Sequence, residues 1–308
     1  MSQRLRAELA LAFCTFLWGS TFVVVKNSLD QSSVFVFLAV RFSLAGLCMA
    51  VLGWRVLRDL RREEIFAGVR LGFFMFGGYA FQTAGLRYTT ASNSSFITGS
   101  SVVLVPLVLA LFGGKRVTLW VYFGTIAAAA GLYFLTVPAG GVAHLNRGDV
   151  LTFFAAASYA VHIILVGEYT REHSAAALSV LQVLACALMA WLTAVGAHAI
   201  NWQAMRFEPS GSLWLGIAIC AVFATAIAFS LQLWAQQYTT PSHAAILFTL
   251  EPVFAVATSY VVLGERLGAR SLVGAALVLA GILAAELLGP PAAPESPEPT
   301  GEPLRSEC

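Results

Sequence analysis

The sequence predicts an all-α membrane protein with ten transmembrane helices arranged as a 5+5 inverted-topology repeat. Three observations carry that expectation. Hydrophobic residues make up 58% of the 308 and charged residues only 11%, well under the roughly 25% that covers a soluble surface. Ten apolar segments are each long enough, at about 20 residues, to cross a hydrocarbon core about 30 Å thick as helix. The chain also repeats itself. Shifted by 150 residues, 81–134 falls on 231–284 with coincident polar and glycine positions.

The segments follow in order. Span 7–25 comes after basic Arg4 and Arg6, as a signal peptide would, but it is long and lacks a small-residue cleavage site, so it reads as a retained first helix. Span 34–53 is apolar apart from Arg41 and ends at the Arg55, Arg58, Arg61, Arg62 cluster. Span 67–86 carries Tyr79 and Gln82, and span 91–112 follows Thr90, a good N-cap. Span 117–137 holds Gly124 and Gly131; span 149–166 holds Tyr159 and His162. Spans 175–197 and 212–233 come next, the latter with Gly216, Cys220, Ala224 and Ala228 four apart. Span 241–263 opens with Thr240-Pro241, a cap and a first-turn proline. Span 271–288 completes the set. Helices are favoured over a membrane β-barrel because the runs are continuous, whereas barrel strands alternate and run about ten residues.

The expected organisation is a first five-helix repeat over 1–137, a linker over 138–148 and a second repeat over 149–288. Residues 289–308 are rich in Pro and Glu and cannot bury enough apolar surface to offset their ordering entropy; they read as a disordered tail. Basic residues gather on cytoplasmic loops; in a cytoplasmic membrane the bias, carried mostly by the Arg55–Arg62 cluster, favours both termini on the cytoplasmic side, while the second half alone leans weakly the other way. The net charge of +2 says nothing about nucleic acid, and none is expected as a partner. The five cysteines show no CxxC spacing, and four sit in apolar segments as small packing residues.

In the repeat, Gln82 meets Gln232, Tyr88-Thr89-Thr90 meets Tyr238-Thr239-Thr240, and Gly124 and Gly131 meet Gly274 and Gly281. Earlier in each half the offset is 141: Phe13 meets Phe154, Trp18 meets Tyr159, and Arg41 meets Gln182. Five spans per half is an odd number, so the second half enters the membrane from the opposite side. Two similar packings related by an in-plane axis can exchange conformations, the device of many secondary transporters. Duplication can also build an inert scaffold or sensor, which would carry no polar cavity.

Glu251 is the sharpest candidate for chemistry. A carboxylate at bilayer depth costs about 2.5–3.5 kcal/mol on insertion scales, so it should face a cavity or a partner. A proton removes that cost, which makes Glu251 a candidate for proton coupling as well as solute binding. Pro252 deprives the carbonyl of Phe248 of its helical partner. On one helical stripe His243 would lie about 12 Å from Glu251. The repeat mates are Asn93 and Ser101, so Asn93 and Ser100 put a polar face on the fourth span too. Gln82, Asn93, Phe96, Ser100, Gln232, His243, Phe248 and Glu251 are the expected solute contacts. Trp18, Arg41, Tyr79, Tyr159 and His162 are candidates for the pathway, although aromatics also serve as packing, His162 as core, and Arg41 and Lys26 as side chains reaching the interface. Small-residue faces let helices approach closely and could also carry a homodimer contact. No phosphate-binding loop, zinc-ligand spacing or nucleophile–base motif is present, so neither an enzyme nor a cofactor is expected.

The motifs Trp18-Gly19-Ser20-Thr21-Phe22 and Arg41-Phe42, then Ala91 to Thr98 with Pro106, and Glu251-Pro252-Val253-Phe254 followed by Leu263-Gly264-Glu265-Arg266, resemble EamA-type transporters of the drug/metabolite transporter superfamily. The resemblance covers about residues 9–288. It implies a ten-helix inverted repeat, alternating access, and export of small metabolites, amino acids or drugs, commonly with proton exchange. Gly114-Lys115-Arg116 stands where the family often shows Gly-Glu-Arg. The expected partners are therefore a small solute and the lipid bilayer. An uncoupled facilitator is the rival within transport.

Overall fold

The computed structural model describes residues 2–89, 91–112, 119–136, 146–263 and 268–288. The Thr90 cap, Lys115, Glu265, most of the linker and the tail at 289–308 lie outside the described residues. Among those described, the chain is helical with no named strand; one antiparallel bridge joins Ser32 to Phe207. The protein is a multi-pass membrane protein. Five helical stretches are each long and apolar enough to cross a bilayer: Gln3–Ser28, Val34–Leu52, Arg147–Tyr169, Ala175–Ala199 and Gly211–Ala235.

In the first half, α1 is Gln3–Ser28, α2 Val34–Leu52 and α3 Arg62–Gly85. The fourth predicted span is two helices, α4 Ala91–Gly99 and α5 Ser101–Phe112, followed by α6 Leu119–Thr136. In the second half, α7 is Arg147–Tyr169 and α8 Ala175–Ala199. Then α9 Gly211–Ala221 and α10 Ala228–Ala235 are joined by a π-helical turn, Val222–Ile227. The ninth predicted span is also divided, into α11 Pro241–Phe248 and α12 Leu250–Leu263, and α13 Ala269–Leu288 closes the set.

The two divided helices and the π-turn depart from the sequence expectation of unbroken spans. In each divided helix a hydroxyl turns back on the chain. Ser100 Oγ donates to the Ile97 carbonyl at 2.5 Å, and Thr249 Oγ1 donates to the Ile246 carbonyl at 2.6 Å. Such back-bonding competes with the helix ladder. Pro252 then sits in the first turn of α12, where its missing N–H costs nothing. The two breaks fall within one residue of equivalent places in the repeat.

The repeat governs the packing. A Cβ on Gly131 would lie 2.6 Å from the Gly274 carbonyl oxygen, and one on Gly281 would lie 2.7 Å from that of Gly124. Gly274 and Gly281 are the repeat mates of Gly124 and Gly131. Each half thus makes the same contact to the other, and α6 crosses α13 backbone to backbone. Other small-residue positions are likewise used inside the chain. Gly216 faces Ser28 and Val24 of α1, while Cys220, Ala224 and Ala228 are fully buried. The Gly216, Cys220, Ala224 and Ala228 face is thus packed within the chain.

At one end of the bundle the α1–α2 turn is clasped to the α8–α9 loop. Ser33 N donates to the Arg206 carbonyl at 2.9 Å and Glu208 N to the Gln31 carbonyl at 2.9 Å. Arg206 also reaches the Asp30 carbonyl, and Ser210 the Gln31 side chain. Arg206 pairs with Glu208 at 2.8 Å, and that neighbour holds the Glu208 carboxyl below its usual range.

Candidate functional site

One cavity, of about 80 Å³, lies between the halves. A water needs roughly 10–15 Å³ on such a measure, so it holds several waters or one small solute. It runs from Trp18, midway along α1, to Val25 near the end of α1 and Leu86 at the end of α3.

Its floor is aromatic, and the repeat built it. Trp18 packs on Phe229 with ring centroids 5.4 Å apart, and Tyr159 packs on Tyr79 at 5.7 Å. Tyr159 and Phe229 are the repeat mates of Trp18 and Tyr79, so these are one contact made twice. Tyr79 and Phe229 meet at 6.1 Å, where an axis relating the halves must pass. Gly78 makes room for the Tyr159 ring, which a Cβ would overlap. Phe248 stacks edge-on to Trp18 at 5.3 Å.

Gln82 and Gln232 are mates that both line the cavity, whereas its charged groups and its histidine come from places where the halves differ. Arg41 stands where the second half has Gln182, Glu251 where the first has Ser101, and His162 where the first has Thr21. Arg41 is only 2% exposed. Its Nε donates to Thr225 Oγ1 at 3.0 Å, and one Nη2 serves the Tyr79 hydroxyl and the Ala224 carbonyl, both at 3.4 Å. The guanidinium lies 4.8 Å from the Tyr79 ring centroid. Nη1 makes no hydrogen bond among the described residues, and no carboxylate pairs with Arg41 there.

The π-turn prepares this receptor. A wider turn leaves carbonyls without i+4 partners. Thr225 Oγ1 reaches back to the Cys220 carbonyl at 2.8 Å, and the Ala224 carbonyl takes Trp18 Nε1 at 2.9 Å as well as Arg41. Nothing in the sequence marks a π-turn, so Thr225 escaped the sequence reading. Phe229 was findable as the repeat mate of Tyr79, and Thr21 as that of His162.

Glu251 and Pro252 also wall the cavity. The Glu251 carboxylate makes no hydrogen bond or ion pair among the described residues. It stands in the first turn of α12, where the helix dipole favours negative charge. Behind it, α1 comes very close at Gly19. A Cβ there would collide with the Glu251 carbonyl oxygen and lie 3.0 Å from Ala255 N. The glycine of the Trp18-Gly19-Ser20 motif therefore seats α1 on the start of α12, and Ser20 Oγ lies 3.3 Å from Thr258 Oγ1.

The expected residues fall into three sets. Trp18, Arg41, Tyr79, Gln82, Tyr159, His162, Gln232, Phe248 and Glu251 line the cavity. Gln82 Nε2 donates to Thr98 Oγ1 at 2.9 Å, and His162 Nε2 lies 2.8 Å from Gln182 Oε1. Gln232 donates to Gln236 and Gln236 to the Ile163 carbonyl, at 2.8 and 2.9 Å. His243 and Ser100 are not on the wall. His243 lies on α11, across the break at Thr249 from Glu251, and its Nδ1 lies 2.9 Å from Thr240 Oγ1, the α11 cap. The side chains of Asn93 and Phe96 lie outside the described residues. Among the described residues, no cluster of His, Cys, Asp or Glu could hold a metal ion.

Comparison with known proteins shows the family and the shared fold. The model of the EamA-like transporter family matches residues 5–137 and again 146–286. An uncharacterized transporter of Archaeoglobus fulgidus is 36% identical over 290 residues, 92% of this chain and 87% of its own. The threonine/homoserine exporter RhtA of Escherichia coli (strain K12) is 27% identical over 238 residues, 76% of this chain and 73% of its own. A solved crystal structure of a protein shares the fold at TM-score 0.74, with 20% identity over 92% of this chain and 97% of that one.

Proposed function

We propose that this chain, which belongs to the EamA-like transporter family, carries a small zwitterionic solute across the membrane by alternating access between its two halves. One observation carries the reading. Among the described residues, Arg41 Nη1 has no acceptor and Glu251 has no cation partner, and both side chains wall the same cavity. A buried charge without a counter-charge is costly. A solute bearing a carboxylate and an ammonium would satisfy both, and amino acids are the simplest such class. The aromatic floor would exclude water and take the solute's apolar part. The exporter name of RhtA supports an outward direction.

The topology we propose has ten spans. The divided helices α4/α5 and α11/α12 each count as one, as does α9 with the π-turn and α10. Residues 1–137 and 149–288 form the two repeats, joined by 138–148, in an inner membrane with both termini in the cytoplasm. The reciprocal glycine contacts and mirrored aromatic pairs support an axis in the membrane plane. Midplane half-helices of this kind accompany ion and solute sites in transporters. In this topology the cavity opens outward, past Val25 and Leu86.

Two measurements test these readings. On a background without native cysteines, Arg61→Cys should label from the cytoplasm and Glu208→Cys from outside; labelling from one side would refute the inverted threading. In proteoliposome counterflow the parent should take L-threonine over L-threoninamide, which lacks the carboxylate. Arg41→Gln should lose threonine counterflow by about 10–100-fold, the worth of a charge-assisted hydrogen bond, and lose that preference. Parental uptake of both probes at equal rates would refute the role of Arg41. Counterflow that ignores an imposed pH gradient would identify an uncoupled facilitator.

A further inference from the structure

A second cavity, of about 390 Å³, lies far from the first, where the loop after α2 meets the turn between α7 and α8. Arg55, Asp59, Arg61, Glu64, Glu172 and His173 line it. Glu64 is already engaged, accepting from Arg61 N at 3.0 Å and Ser174 N at 3.3 Å. The other charges, Arg55 and Arg61 against Asp59 and Glu172, make no ion pair among the described residues. Opposite charges facing one space without closing on each other suit a ligand that carries both.

The surroundings put this cavity at headgroup depth. Leu52 is 86% exposed at the end of α2 and Phe66 61% exposed at the start of α3; in a membrane protein such side chains take acyl chains as solvent. Trp54 stands between them, as tryptophans do at the interface. The Arg58 guanidinium lies 3.7 Å from the centroid of the Trp54 ring. A guanidinium held against a ring by its face keeps its in-plane N–H groups for a phosphate.

We propose that this cavity binds the headgroup of phosphatidylethanolamine, with phosphate toward Arg55 and Arg61 and ammonium toward Asp59 and Glu172. Phosphatidylcholine has the same charges but no N–H to donate. Phosphatidylglycerol has no cation and would meet Asp59 and Glu172 as like charges.

The test is native mass spectrometry of the full chain, delipidated in detergent and offered dioleoyl forms of the three lipids in equal amounts. Phosphatidylethanolamine should be retained over phosphatidylcholine, and Arg55→Gln with Arg61→Gln should weaken it about fivefold per charge removed. Asp59→Asn with Glu172→Gln should erase the preference and move retention toward phosphatidylglycerol. These substitutions spare the backbone N–H groups that Glu64 holds, and unchanged circular dichroism confirms folding. Equal retention of the two zwitterionic lipids, or tightest retention of phosphatidylglycerol by the parent, would overturn the proposal. So would soluble phosphoethanolamine displacing the lipid at equal concentration, since the acyl chains would then contribute nothing.

Discussion

A Glu251→Gln variant is expected to insert and fold like the parent yet to lose transport by about 10–100-fold, the range for losing one charge-assisted hydrogen bond to the solute. The substitution keeps the shape and removes the charge. Glu251 makes no protein hydrogen bond or ion pair among the described residues, so little folded-state pairing is lost. Neutralising a carboxylate at bilayer depth even removes a desolvation cost. If Glu251 also gains and loses a proton in each cycle, the parental rate falls at either pH extreme, where one form is scarce. The glutamine variant holds a single form, so its residual rate should be flat with pH. Proteoliposome counterflow across a pH series measures both effects. A variant with the parent's rate and pH profile would remove Glu251 from the mechanism.

The second large effect is expected at Gly19. Gly19→Val should lower thermal stability in detergent by about 1–3 kcal/mol, the usual cost of forcing atoms into a filled site, and should abolish transport. The new side chain meets backbone, the Glu251 carbonyl oxygen and Ala255 N at 3.0 Å, and backbone cannot step aside as a flexible side chain can. Moving α1 away would shift the helix start that holds Glu251 and take Trp18 off Phe229 and Phe248. Gly196→Val is the control, because nothing lies within 4 Å of a Cβ at 196. It should be tolerated. Equal melting of the two variants would show that the α1–α12 crossing is not tight in solution.

Glu251 and Gly19 also show how much of the candidate site the sequence exposes. Glu251 stands out because a charge in an apolar run is expensive and so invites an explanation. Gly19 stands out only as part of a motif, and its reason is spatial: another backbone passes there. Thr225 does not stand out at all, since a threonine in an apolar helix gives no sign that a π-turn will aim it at Arg41. His243 stands out in the sequence, yet it does not line the cavity. Eight residues before Glu251, it would share a stripe with it on a continuous helix, but the structure divides that helix at Thr249.

The sequence by itself determined that lipid is the solvent, that the chain is helical and doubled, and that Arg41 and Glu251 need explaining. These follow from composition, segment length and internal repetition, which are properties of the chain read in one dimension. Tertiary structure alone decided that mates 150 residues apart pack reciprocally, that aromatic pairs floor one cavity, and that Arg41 and Glu251 face it together. It also decided where the helices break. Such outcomes depend on which backbones touch and which hydroxyls find a carbonyl, and no single segment carries that information.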